Sequence, residues 1–423
     1  MDQPEMNYDH ELLERVNPVF NTAKMTLYQL SSAGDENARI ISEQLGLTFE
    51  NTQDSSEGLA SAEESVMNCI LLETRYRTMG RLAEKSGCPT VIDLPCGYTP
   101  RAIEFAKKGI PFVGMDLPAV ISETEPVIRQ HLTEEQQEFV RFEGVDATNY
   151  SSLEKAFDPI RGEVCITTEG LLMYFTDSEA DMLCENIAKI LELHGGCWIM
   201  ADPEVTLHYI AAAWAFFGDR FMEVLTRSGH RASEKSDVDV HSNSLVIDPK
   251  GNVKKNMQNA MLFLSKYGLK VERMVLSDHA PELKSLDKAD QAQKEAVLQA
   301  MKNIAYWKVT STGNMLDASD TKAENFETKA RISGERLLLE FHGRLDTLSA
   351  PNLLSFFEKT AQENELREVE IDCRSLDYIS SAGLRVLLIM KKKCEKGVTL
   401  SGANSLVLEI LDQTGFMEFF RIS

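Results

Sequence analysis

Basic residues, long apolar runs and paired cysteines are all in short supply in this chain. Lysine and arginine total 44 against 66 aspartate and glutamate, a net charge of -22. So negative a protein is repelled by phosphate backbones and anionic lipid surfaces, and neither nucleic acid nor a membrane is expected as a partner. The apolar run "YIAAAWAFFG" has about half the length that a membrane helix needs. The opening "MDQPEMNYDHELLERV" is acidic and polar with no apolar signal core, so neither export nor anchoring is expected. Eight cysteines are spread without a C-x-x-C pair or a Cys/His cluster at zinc spacing. Cys88, Cys96, Cys165 and Cys197 sit mostly in or beside apolar runs, which reads as a reduced, cytoplasmic protein without a metal site. The dinucleotide loop G-x-G-x-x-G is missing too, which removes a nicotinamide-dependent dehydrogenase from consideration.

What is present suits two ordinary domains: 423 residues, 43% hydrophobic and 26% charged. Alternating strand-like and helix-like segments begin near Thr90 with "TVIDL", "TPRAIEFAKKG" and "IPFVGMDLP" and continue to "GCWIMADPE". That alternation predicts a parallel sheet in an α/β fold. Ser61 to Lys85 carries apolar residues at helical spacing and is expected to cover an edge or the mouth of the sheet. "LHYIAAAWAFFGDRFMEVL" and "PKGNVKKNMQNAMLFLSKYG" read as further helices. The stretch 311–330, "STGNMLDASDTKAENFETKA", is polar, small and without period, and reads as a linker between a first domain over 1–310 and a second over 331–423. From Arg331 onward the order is strand ("RLLLEFHGRLD"), helix, strand ("EVEID"), helix, strand ("VTLSG"), helix.

Chemistry concentrates at predicted strand ends. "DLPCGYTPR" leaves a strand and opens a helix with a single glycine, Gly97, where the backbone can approach a ligand. Acids follow at the ends of the next strands: Asp116, whose carboxylate could accept from both hydroxyls of a ribose, then Asp146 and Glu169. Taken singly, each acid is more often a helix cap or turn residue. An ordered set behind "VIDLPCG" points instead to a lined crevice.

"VIDLPCGYTPRAIEF", "GMDLPAVI" and "TTEGLLMYFTDSEADMLCENIA" together resemble the leucine carboxyl methyltransferase family over roughly residues 8–307. The resemblance implies a Rossmann-like class I methyltransferase domain with S-adenosylmethionine as donor and a carboxylate or other oxygen as acceptor. It implies that Arg75 in "LLETRYR" grips the cofactor's carboxylate, Gly97 meets its methionine portion, Asp116 the ribose, Asp146 with Ala147 the adenine edge, and Glu169 the amino group. Pro95 stands where the family usually has glycine, and Thr99 where it often has aspartate. A carboxylate acceptor is ionised at neutral pH and needs no base, so alignment is the main task and no catalytic residue is assigned. Arg101 and Arg77 are candidates to hold the acceptor, the alternative being surface or cap-neutralising arginines; Tyr174 is a candidate pocket wall or a core aromatic. His194, before two glycines, reads as a capping cation.

The last quarter opens a different question with the adjacent serines of "LDYISSAGLRVLLIMKK". They could cap a helix, attack a substrate or accept a phosphate. "FHGRLDTLSAPNL", "VEIDCRSLDYISSAGLRVLL" and "LSGANSLVLEILDQTGF" resemble a STAS domain from about Phe326 to Ser423, the module of anti-sigma factor antagonists and sulfate-transporter tails. The resemblance implies a kinase-like anti-sigma partner and phosphorylation at the strand-to-helix junction, with Ser381 the expected acceptor and Ser380 the lesser candidate. Ser380 replaces a frequent aspartate and Ala382 a second hydroxyl residue. A hydrolytic nucleophile is disfavoured, because His342 is the only histidine near these motifs and sits within a strand. The combined reading is a methyltransferase fused to a phosphorylatable interaction module. Its rival is a non-catalytic regulator, or an anti-sigma factor antagonist, whose first domain only senses the cofactor.

Overall fold

The computed structural model describes residues 22–48, 62–222, 243–249, 252–311, 314–316, 318–333 and 335–423. The chain divides into two compact units, and apart from Glu192–His194 the break falls between Thr310 and Ser311.

In the first unit seven strands form one sheet in the order β3-β2-β1-β4-β5-β7-β6. They are β1 (Thr90–Asp93), β2 (Phe112–Asp116), β3 (Val140–Gly144), β4 (Val164–Thr168), β5 (Gly196–Met200), β6 (Leu269–Val275) and β7 (Ala305–Ser311). Strands β1 to β5 pair in parallel, whereas β7 runs antiparallel to β5. This order, with its reversed seventh strand, is that of a Rossmann-like class I methyltransferase domain. Every residue of β2 and β4 is buried, as a sheet covered on both faces requires. Successive side chains feed two separate cores: Val91, Phe112, Cys165 and Ile199 one, Ile92, Val113, Ile166 and Trp198 the other. The period of two along each strand builds both at once.

The helices that concern the site are α1 (22–32), α2 (Ala62–Lys85), α3 (Arg101–Lys107), α4 (Pro118–Arg129), α5 (Asp177–His194) and α6 (Val205–Phe217). Helix α5 starts at a capping box, Thr176 and Glu179 bonding each other's backbone N–H, and stops at Gly195, whose φ of 78° lies in the left-handed region. His194 occupies its last turn, as expected. The expected continuation of α6 into residues 223–225 lies outside the described residues, as do residues 8–21 of the stretch that carries the family resemblance.

In the second unit the order is β13-β12-β11-β10-β9-β8. These are β8 (Asn314–Leu316), β9 (Phe326–Ser333), β10 (Arg336–Leu345), β11 (Glu368–Ile379), β12 (Gly397–Ser401) and β13 (Arg421–Ile422), with helices α7 (Ala350–Glu363), α8 (Ser381–Lys393) and α9 (Ser405–Gln413). Strands β10 to β13 pair with one another in parallel, whereas β8 with β9 and β9 with β10 pair antiparallel. Alternate residues of β10 and β11, Leu337, Leu339, Phe341, Val369, Ile371 and Cys373, enter one core with the helices.

The linker expected over 311–330 is corrected by this sheet. It supplies β8 and the first half of β9, which pairs with β10 from Phe326 to Ser333. Phe326, Thr328 and Ala330 are buried at alternate positions. Because a threonine holds the middle one, the apolar period of a strand is broken in the sequence although the burial period is intact.

Candidate functional site

The strand order reverses between β1 and β4, so the loops leaving these strands diverge and leave a crevice at the carboxyl ends of the sheet. A cavity of about 470 Å³ occupies it. Arg75, Gly97, Asp116, Asp146, Ala147 and Glu169 all line it, together with Tyr174 and Arg101. Residues that lie far apart in sequence are thus brought to one wall. Helices α1 and α2 line it too, contributing among others Met25, Gln29, Asn68 and Leu72.

Gly97 has φ 53°, a left-handed backbone that favours glycine, and its N–H donates to Asp116 Oδ2 at 2.8 Å. Asp116 Oδ1 accepts from the Leu117 N–H at 2.7 Å. The side chain is buried, and despite these two backbone donors burial pushes its carboxyl up to about 7. Asp146 Oδ1 accepts from both the backbone N–H and the hydroxyl of Thr148, at 2.8 and 2.7 Å, so it also shapes its own turn. The peptide before Pro95 is cis.

At the β4 end two arginines meet one glutamate. Arg75 Nε lies 3.4 Å from Glu169 Oε1, and Arg101 Nη2 donates to Glu169 Oε2 at 3.0 Å. Arg101 Nη1 also reaches both oxygens of Asp93, at 2.8 and 2.7 Å. Arg101 is only 2% exposed, so it is not a surface arginine; its two terminal nitrogens are engaged at the ends of β1 and β4, while its Nε has no hydrogen-bond partner among the described residues. Arg77 does not line the cavity; it donates to Glu73 at 2.7 Å and to Asp35 at 3.2 Å. Arg75, like Arg101 and unlike Arg77, has a buried Nε with no hydrogen-bond partner among the described residues.

Asp202, just past β5, was not singled out in the sequence. Its carboxylate accepts from the N–H groups of Gly170, Leu171 and Leu172 at 2.6, 2.7 and 2.7 Å and so fixes the loop that presents Glu169 and Tyr174. It extends the rule that acids end the parallel strands, and "GCWIMADPE" carried that signal. His208, on α6, is a second omission. It is buried, lines the cavity, and burial followed by the charge of Arg75 lowers its pKa to about 3. Nothing in its apolar run distinguished it. Tyr174 is a cavity wall whose phenol is pushed up by burial, chiefly.

In the second unit the two serines divide. Ser380 is the N-cap of α8: buried, it accepts from the Gly383 N–H at 3.2 Å, and its own N–H donates to Leu345 O at 2.9 Å. Ser381, the first residue of the helix, is exposed. The neighbouring loop is held by Asp346, which accepts from the N–H groups of Leu348 and Ser349 at 2.8 and 3.1 Å and leaves Leu348 exposed.

Residues 326–423 match the STAS domain family and form a STAS domain. An anti-sigma factor antagonist from Mycobacterium paratuberculosis is 17% identical, the match covering 24% of this chain and 87% of that one with a TM-score of 0.22. An O-methyltransferase family protein from Burkholderia thailandensis is 14% identical over 59% of each chain, TM-score 0.32. Human N-acetylserotonin methyltransferase, solved with S-adenosylmethionine, is 13% identical over 68% of this chain and 66% of its own, TM-score 0.31. No curated protein matches the chain in sequence. The assignment of the first unit therefore rests on its strand order. Among the described residues no helix is long and apolar enough to cross a membrane.

Proposed function

We propose that the first unit is an S-adenosylmethionine-dependent O-methyltransferase and that the STAS domain is its phosphorylatable interaction module. The observation that carries the first half is the cavity: the strand-end residues of four successive parallel strands, drawn from positions 97 to 169, line one space with Arg75. The donor supplies a methyl carbon activated by an adjoining positive sulfur.

The residues fit that molecule. Arg75 presents a buried donor without a partner among the described residues, the expected counterpart of a ligand carboxylate. Carboxylates outnumber arginines along the wall, which favours a ligand carrying an ammonium and a sulfonium. Asp116 spends one lone pair of each oxygen on a backbone N–H and retains others for ribose hydroxyls. Asp146 with Ala147 would bound the adenine, and Glu169 would take the amino group. The protein's contribution is placement, with Asp202 fixing the loop of Glu169 and Tyr174.

Replacing Asp116 by Ala removes charge-assisted bonds of roughly 1.5–3 kcal/mol each. Calorimetry should show affinity for S-adenosylhomocysteine falling at least about tenfold; tight binding unchanged by the substitution sinks the assignment. One observation favours the sensor reading: Arg101, a candidate acceptor anchor, is held by Asp93 and Glu169. Mass spectrometry of methyl transfer to cell-extract components separates the two, since a sensor binds the cofactor and transfers nothing.

For the STAS domain, the division of labour between Ser380 and Ser381 supports Ser381 as the phosphate acceptor. The cap is already supplied by Ser380, while Ser381 is exposed beside free N–H groups at the positive end of the helix dipole, so the domain need not open to be modified. The expected partner is an anti-sigma or serine-kinase protein. Ser381→Asp should weaken that binding and Ser381→Ala should leave it permanently competent. Phosphopeptide mapping after incubation with the cognate kinase decides: label on neither serine reduces both to helix geometry.

A further inference from the structure

The cavity has two unlike ends. Toward β2 and β3 it is edged by Asp116 and Asp146; toward β4 and β5 it is walled by Met173, Phe175, Val205 and Tyr209, with His208 among them. The only cations lining it among the described residues are Arg75 and Arg101. Arg101 is bonded to Asp93 and Glu169, and Arg75 is the counterpart of the donor's own carboxylate under the reading proposed above. Each of these positive charges already faces a carboxylate, Arg101 two of them, so a second anion finds no cation that is not already neutralised. Glu169 and Glu179 line the cavity as well, so a carboxylate entering there meets like charge.

What the apolar end does offer is an imidazole. His208 is buried, lines the cavity and makes no hydrogen bond to any described residue. Buried polar groups in folded proteins nearly always have a partner, so a cavity-lining histidine without one in the protein is a place for a ligand's polar atom. Desolvation and the neighbouring Arg75 lower its pKa to about 3, so the ring is neutral at physiological pH: one nitrogen accepts and the other donates. A neutral ring surrounded by apolar walls suits a hydroxyl on an apolar body and gives no ionic hold on a carboxylate.

We infer that the methyl acceptor is an uncharged, largely apolar alcohol or phenol, and that its O–H donates to His208, through which the proton released as the methyl C–S bond breaks and the C–O bond forms passes to solvent. This rests on the methyltransferase reading, and it departs from the carboxylate acceptor that the family resemblance puts first. His208 is here a binding residue that selects the acceptor's charge state and directs its oxygen.

The test uses the full chain saturated with S-adenosylhomocysteine and three matched probes of one shape: 2-naphthol, 2-naphthoate and 2-methoxynaphthalene. Ligand-observed NMR gives the affinities and the imidazole resonances of His208 give the contact. 2-Naphthol should bind at least about tenfold more tightly than either of the others and shift the His208 resonances. In His208→Phe its advantage over the methyl ether should disappear. Equal or tighter binding of the naphthoate, or no response of His208 to the naphthol, overturns the inference while leaving the cofactor reading intact. Failure to bind S-adenosylhomocysteine at the outset overturns the cofactor reading and this inference with it. The comparison of probes on the unmodified protein stands even if the variant does not fold.

Discussion

Asp116 holds its proton to about 7 in the fold, against an ordinary value of 3.8. A carboxyl raised in this way favours folding fully below roughly pH 4, and that contribution is lost as pH rises through about 7. A ribose whose hydroxyls donate to the ionised form pulls the other way and expels the proton. Calorimetric binding enthalpies of S-adenosylhomocysteine at pH 6 should therefore vary with the ionisation enthalpy of the buffer, and at pH 8.5 they should not. Asp116→Asn should abolish the dependence. Arg101 yields a second expectation at this scale. Its removal leaves Asp93, wholly buried, with no opposing charge, and Arg101→Ala should cost about 3–5 kcal/mol in denaturant unfolding of the full chain. A cost below about 1 kcal/mol would show that the pair is not the clasp between β1 and β4 described above.

Elements show where sequence and structure part company. Helix α8 lies against β10 and β11 at Gly383, where an added Cβ would sit 2.8 Å from Leu345 Cγ and 2.9 Å from Ile379 Cγ1. Gly383→Ala should therefore destabilise the STAS domain by about 1–3 kcal/mol through overpacking, read as a lowered melting temperature of that domain. An unchanged midpoint would mean the helix is seated more loosely than drawn. The strands β1 to β5 and helices α7 to α9 were legible because their periods are apolar and unbroken. The same was true of the cavity wall, since Gly97, Asp116, Asp146 and Glu169 each follow a readable strand. Strand β9 was not, because Thr328 fills a core position and β8 is only three residues long. The burial of Arg101 was not legible because its partners, Asp93 and Glu169, become neighbours only when β4 is laid beside β1. His208 was hidden for the opposite reason: its surroundings are apolar enough that the sequence offers a helix and nothing more.

For the molecule as a whole, the two compact units lead us to propose independent folding, with the boundary at Ser311 rather than Arg331. The reason is β9, whose Phe326 and Ala330 belong to the core of the second unit. A fragment over 311–423 should give a cooperative thermal transition by circular dichroism, whereas one over 336–423, which loses β8 and β9, should melt at least several degrees lower or not fold. Equal melting of the two fragments would return residues 311–333 to the status of a linker.

The two ends of the cavity also differ in the distance along the chain from which they are recruited. Leu94 to Thr148 supplies the whole end that would hold the adenosine, while the other end draws on α1, α2, the loop after β4, and α6. On a ribosome, which releases roughly 5–20 residues each second, the first end can take shape while β4 is still being made. The second must wait for α6 to emerge and for long loops to close. Birth order then becomes an order of maturation: a nascent chain could engage its cofactor seconds before it has anywhere to put an acceptor.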